Sequence, residues 1–170
     1  MKENLKVLVK NLTNHEVGFA CINYPNRYNF MGEQILPVKW EHLEDAAYTQ
    51  GMRYLFENGY LKIMPNTEDY SEVMEELQLS NLIEVIDNSL SYNEVKKILS
   101  TVPLSTQYGV IKKHFKEGTE TTKQNFANAA IELGIKDYTI NTVIKKATGI
   151  DVLKTLELKQ EQEKELEKED

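Results

Sequence analysis

The hydrophobic pattern changes its period once, at Met64-Pro65-Asn66-Thr67, and that change restricts the architecture more than any other feature of the sequence. Before it, apolar residues alternate in short runs, as strands require. After it they recur every three or four residues, as amphipathic helices require. A chain patterned in this way folds as an α+β protein with strands first and helices after. We expect a small antiparallel β module with two short helices over residues 1–64. An all-α multi-helix domain follows over residues 65–158, and a charged helix or tail over residues 159–170. The 170 residues suffice for one full domain or two small ones.

Inside the β module, residues 6–11 (KVLVKN) and 17–22 (VGFACI) form two strands and, with a polar turn between them, a predicted hairpin. Residues 27–30 form a third strand. Residues 34–39 form a fourth, which Pro37 confines to a sheet edge because it has no N–H to donate. Gly32, in the turn before it, is free to take positive φ. Trp40, Leu43 and Ala47 share a helical face, with Glu41, Glu44 and Asp45 pointing away, and Gln50-Gly51 ends that helix. Met52, Leu55 and Phe56 define a second short helix. Asn58-Gly59 is a turn dipeptide, and residues 60–63 close the module as a fifth strand. Short strands need a covered face, and Trp40, Leu43, Leu55 and Phe56 are placed to cover it.

Beyond Pro65 the sequence predicts helices near residues 68–77, 80–88, 91–101, 105–116, 121–133 and 139–148, and a last one from Asp151 through Leu158. Thr67 reads as a cap for the first, and Leu82, Val85 and Ile86 face inward in the second. Ser91-Tyr92-Asn93-Glu94 fits a capping box. Pro103, Gly118, Gly134 and Gly149 are stop signals. The segment 159–170, KQEQEKELEKED, reads as a solvated extension of the last helix or as frayed chain.

The net charge of -7 is unevenly spread. Residues 65–94 carry eight acidic and no basic side chains, whereas residues 95–154 carry ten lysines against five acids. Such blocks pair within one fold or between copies, or the basic block meets an acidic protein or a nucleic acid. The lone Cys21, in an apolar run, reads as a buried thiol and fits a reducing compartment. The N-terminus lacks the apolar region of a signal peptide. No run approaches the roughly 18 apolar residues that cross a bilayer.

No residue pattern points to catalysis, a metal or a cofactor. His15, His42 and His114 have no ligand-spaced partner; His42 reads as lying on a charged helix face and His114 stands beside Lys112 and Lys113. Glu72, Glu75 and Glu76 read as a solvated face without the alternating Asp/Asn loop of a calcium site. No phosphate-binding glycine loop and no nucleophile elbow is present. One alternative carries chemistry. Residues 123–146 read as helix, Gly134 turn, helix, resembling a helix-turn-helix. Its second helix would offer Asn141, Thr142, Lys145 and Lys146 to a duplex, with Lys112 and Lys113 as further phosphate contacts. The segment has no arginine, the commonest reader of guanine, and Ala129, Ala130 and Ile131 suit plain helix packing equally.

Val7-Leu8-Val9-Lys10-Asn11-Leu12, Arg27-Tyr28-Asn29-Phe30 with Gly32-Glu33, residues 35–43, Ala46-Ala47-Tyr48 with Gly51, Tyr54-Leu55 and Tyr60-Leu61-Lys62-Ile63 carry a family likeness. So do Asp137-Tyr138 and residues 144–152 near the C-terminus. Together these stretches, about half the chain, resemble poorly characterised proteins encoded among the structural genes of bacteriophages of low-GC Gram-positive bacteria. The resemblance implies a non-enzymatic virion-associated or head-assembly structural protein. Its partners would be other virion proteins or further copies of itself. It would reside in the virion, and in the host cytoplasm during assembly.

Overall fold

A computed structural model describes residues 4–167. The chain is α+β, with small antiparallel sheets followed by helices. Strand β1 (Lys6–Asn11) is the centre of a three-stranded sheet, between β4 (Ile35–Lys39) and β5 (Leu61–Ile63). Both pairings are antiparallel, with Leu8 opposite Pro37 and Lys10 opposite Lys62. As its missing N–H requires, Pro37 lies on an edge strand.

The hairpin falls elsewhere than the sequence suggests. Strand β2 (Val17–Ala20) pairs with β3 (Arg27–Phe30), not with β1, and the two form a separate ribbon. The cause lies at Asn11. Its Oδ1 accepts the Thr13 N–H and hydroxyl, and its Nδ2 donates to the carbonyls of His15, Phe30 and Met31. This buried amide turns the chain out of the sheet and pins it to the end of β3, leaving both edges of β1 to β4 and β5. Positive φ falls on Glu33 (65°) rather than Gly32. Gly32 is needed for another reason: a Cβ there would sit 2.7 Å from the Asn14 carbonyl carbon.

Helices α1 (Trp40–Ala47) and α2 (Gln50–Glu57) cover one face of the sheet with Trp40, Leu43, Met52 and Phe56, all buried; Leu55 is partly buried. Gln50 and Gly51 start α2 rather than interrupt a helix, because the Thr49 hydroxyl accepts the Met52 N–H and caps the new helix. His42 is not on the charged face of α1; it is buried, with Nδ1 2.7 Å from the Tyr28 hydroxyl. Cys21 is only half-buried, its thiol 3.7 Å from the His42 carbonyl.

Helix α3 (Tyr70–Glu76) is preceded by Asp69 in the left-handed region, without a side-chain cap. Thr67 is spent elsewhere, its hydroxyl accepting the Leu8 N–H at 3.1 Å. A single 3₁₀ turn (Ser80–Leu82) leads into α4 (Ile83–Asp87), where Ile86 is buried and Val85 faces solvent. Val73, Met74, Leu77, Leu79 and Ile86 join the sheet residues Val7, Val9, Phe30, Val38 and Ile63 in one hydrophobic cluster. The hydrophobic core therefore changes hands near Ser89, not at Pro65, although the period of the sequence changes there.

The second core belongs to α5 (Tyr92–Thr101), α6 (Leu104–Glu117), α7 (Glu120–Glu132), α8 (Tyr138–Thr148) and α9 (Val152–Leu166). It holds Val95, Leu99, Ile111, Phe126, Ile140, Ile144, Val152 and Leu156. Ala127, Ala129 and Ala130, fully buried on α7, let neighbouring helices approach closely. The predicted start and stop signals hold: the Ser91–Glu94 capping box opens α5, and Gly134 and Gly149 take φ of 66° and 77°. Where Pro103 separates α5 from α6, Gln107 Nε2 donates to the Leu99 and Val102 carbonyls at 3.0 Å.

Polar groups clasp the two cores together. Asn125 on α7, 1% exposed, donates to the carbonyls of Leu12 (2.8 Å) and Leu90 (3.1 Å). The Tyr92 N–H also donates to Leu12 O, and the Asn93 N–H to Glu33 Oε1. Beside them the Thr121 N–H donates to Asn58 O, while Thr119 packs so tightly on Gly59 that a Cβ there would meet its hydroxyl at 2.3 Å.

Candidate functional site

The residues singled out for nucleic acid lie on two packed helices, α6 and α8. Helix α8 starts at a capped turn, the Asp137 carboxylate accepting the Ile140 N–H at 2.8 Å. Its outer face, with the start of α9, lines an open groove of about 640 Å³ containing Tyr138, Thr142, Lys145, Lys146, Asp151 and Lys154.

The groove is less available to a ligand than its lysines suggest. Asn141 is buried and acts on its own chain: Oδ1 accepts the Val152 N–H at 2.7 Å and Nδ2 donates to Asp151 at 3.2 Å. Lys145 pairs with Asp151 at 2.8 Å. That hydrogen bond, with the Lys154 N–H capping bond, lowers the Asp151 carboxyl to about 2 and raises the Lys145 ammonium. Two of the four residues that α8 was expected to offer therefore fasten α9. Thr142 and Lys146 remain exposed. On α6, Lys112 lies over the Tyr108 ring, 5.3 Å from its centroid, and Lys113 is exposed. His114, next to it, stacks on Phe126; burial first, then Lys113, lowers its pKa. The structure thus brings the two helices together but leaves only part of the lysine set free. Asn141's capping role was not legible in the sequence, since Asp151 alone reads as the cap of α9.

Helix α9 supplies the other candidate. Val152 and Leu156 anchor its first turns in the core, and every residue over 157–166 is exposed. At 1.5 Å per residue this is a rod on the order of 15 Å long. It presents Leu158 and Leu166, 50% and 66% exposed, among mixed charges.

Glu72, Glu75 and Glu76 are exposed on α3, as expected of a solvated face. Among the described residues, no group of His, Cys, Asp and Glu side chains is arranged to hold a metal ion, and no helix is long and apolar enough to cross a membrane. Comparison with models of protein families, with curated proteins and with solved structures found no match to this chain.

Proposed function

We propose that this protein is a non-enzymatic structural or assembly component of a bacteriophage virion, acting through protein–protein contacts. The observation that carries the reading is α9, whose residues 157–166 are all exposed, contribute no side chain to the buried core and include two leucines on a charged helix. A helix held only at its root is a handle for a partner, because its own packing does not use its outer half. The likeness to phage structural-region proteins supplies the setting. The test is mass spectrometry of purified particles with the chain intact or truncated after Leu156. Tens of copies of the full chain per particle, and loss of the truncated chain from particles, are the expected results. Absence of the full chain from particles, with abundance in infected cells, would overturn a virion role.

A second reading, duplex binding by α7 and α8, is favoured by Thr142, Lys146 and Lys154 sharing one groove. It predicts an affinity that falls steeply with salt and a large further loss in Lys146→Glu. Binding unchanged by that substitution would exclude the groove as a duplex site.

A further inference from the structure

The β2–β3 ribbon has a short free edge at Gly18 and Ala20. Main-chain hydrogen bonds alternate along an antiparallel pair, and Cys21 N–H donates to Asn26 O at 3.0 Å. Val17 and Phe19 therefore direct their N–H and C=O groups towards β3, and Gly18 and Ala20 direct theirs outward. Gly18 and Ala20 are exposed, and among the described residues nothing bonds these outward groups. The same logic applied to β4 gives a different edge. Trp40 N–H donates to Leu5 O, so Ile35, Pro37 and Lys39 face outward, and the middle position has no N–H. One edge is blunted by proline and lysine, the usual protection of a sheet edge; the other is clear at Gly18 and Ala20 and ends at Ile22, whose outward N–H donates to Asp45.

We propose that the β2 edge pairs with the β2 edge of a second copy of this chain, antiparallel about a two-fold axis at Phe19. The outward groups themselves set this register. Gly18 of one copy faces Ala20 of the other, and each of the two rungs exchanges a pair of main-chain hydrogen bonds. The ribbons join into one continuous sheet. Charge complementarity selects a second copy as the occupant. The outer face of the ribbon is a shallow groove of about 420 Å³ with Gly18 and Ala20 as its floor and Glu16 and Arg27 at its rim. In the two-fold register, Glu16 of each copy reaches across the small side chain of Ala20 towards Arg27 of the other. Neither residue has an ion-pair partner among the described residues. On the opposite face Phe19 is half-buried, its ring 5.3 Å from Tyr28 and 6.1 Å from Phe30. Pairing places the two Phe19 rings side by side at the axis and extends the aromatic row through both ribbons.

The contact is small, so the association is weak and depends on concentration. It rests on the assembly reading but uses a different surface from α9. The chain truncated after Leu156 still dimerises if the inference holds, so the failure of one reading is distinguishable from the failure of the other. The test is sedimentation of the full chain over a wide concentration range, with circular dichroism to verify each variant's fold. Ala20→Pro removes an outward donor without touching the bonds to β3, as Pro37 does naturally in β4. It should weaken dimerisation at least about tenfold, and Arg27→Glu should do the same. The double variant Glu16→Arg with Arg27→Glu should return to within about threefold of the parent. A chain that stays monomeric at millimolar concentration would overturn the inference. A dimer indifferent to both Ala20→Pro and Arg27→Glu would also overturn it, by showing that another surface is used.

Discussion

The two cores of this protein are assembled by different rules. The first is built from segments far apart in sequence: β1 lies between strands that begin at residues 35 and 61, and Ile86 closes the same cluster. Its side chains are large and branched, and Val7, Val9, Phe30, Val38 and Leu61 have no exposed surface. The second is built from successive helices, each ended by its own cap, with alanines along the central α7. The difference shows where specificity resides. In the helical half each element is defined locally and packing is chosen afterwards; in the sheet half, connectivity exists only once distant strands have met. Between them lies a junction crossed by the directional bonds of Asn125, Tyr92, Asn93 and Thr121.

The largest expected effect tests whether the cores are energetically separate. Phe30→Ala and Phe126→Ala each empty the centre of one cluster and should each cost about 3–5 kcal/mol. The residues share no cluster, so the double variant should lose the sum of the two within about 0.5 kcal/mol in denaturant titrations. A strong departure from additivity would mean that the polar junction transmits packing. Asn125→Ala addresses the junction itself. It deprives half-buried Leu90 O of its amide and leaves buried Leu12 O with the Tyr92 N–H alone, a loss of about 1–3 kcal/mol. The expected signature is separation of one unfolding transition into two, with the halves melting independently; one unchanged transition would show that the remaining contacts suffice. The smallest effect is confined to the helical half. Asp151 titrates near 3.8 when unperturbed and about 2 in the folded chain, so the native state holds fewer protons between these values. Its stabilising contribution is complete above pH 3.8 and is lost as pH falls towards 2. Asp151→Asn should make the acid limb of the stability curve shallower in that window, with α8 and α9 exchanging their amides fastest.

The same division explains what could be read from the sequence. Ser91 with Glu94, Gly134 and Gly149 act within one helical turn of themselves, so the start of α5 and the ends of α7 and α8 followed from short-range chemistry, whereas the Thr119 and Asp137 caps were not read. The five strands were also legible, because alternation is local. Their pairing was not. That β2 joins β3 depends on a buried Asn11 amide reaching Phe30 and Met31, a contact without local signature. Thr67 and Asn141 show the same limit. Each sits where a cap or an exposed reader would sit, and each is drawn off by a partner many residues away. In the candidate groove, charge was visible in the sequence but its commitment was not, since Lys145 and Asp151 meet only when α9 folds back along α8.

The bond from Asn125 to Leu12 spans 113 residues. On a ribosome, the first core is complete in sequence once Ile86 has emerged, while the amide that locks the end of β1 has yet to be made. The nascent N-terminal half therefore waits with Leu12 and Leu90 exposed to water or to a chaperone, and docks only after α7 is released. The end of β1 is among the first segments synthesised, yet its bond to the helical half waits on a residue made 113 positions later.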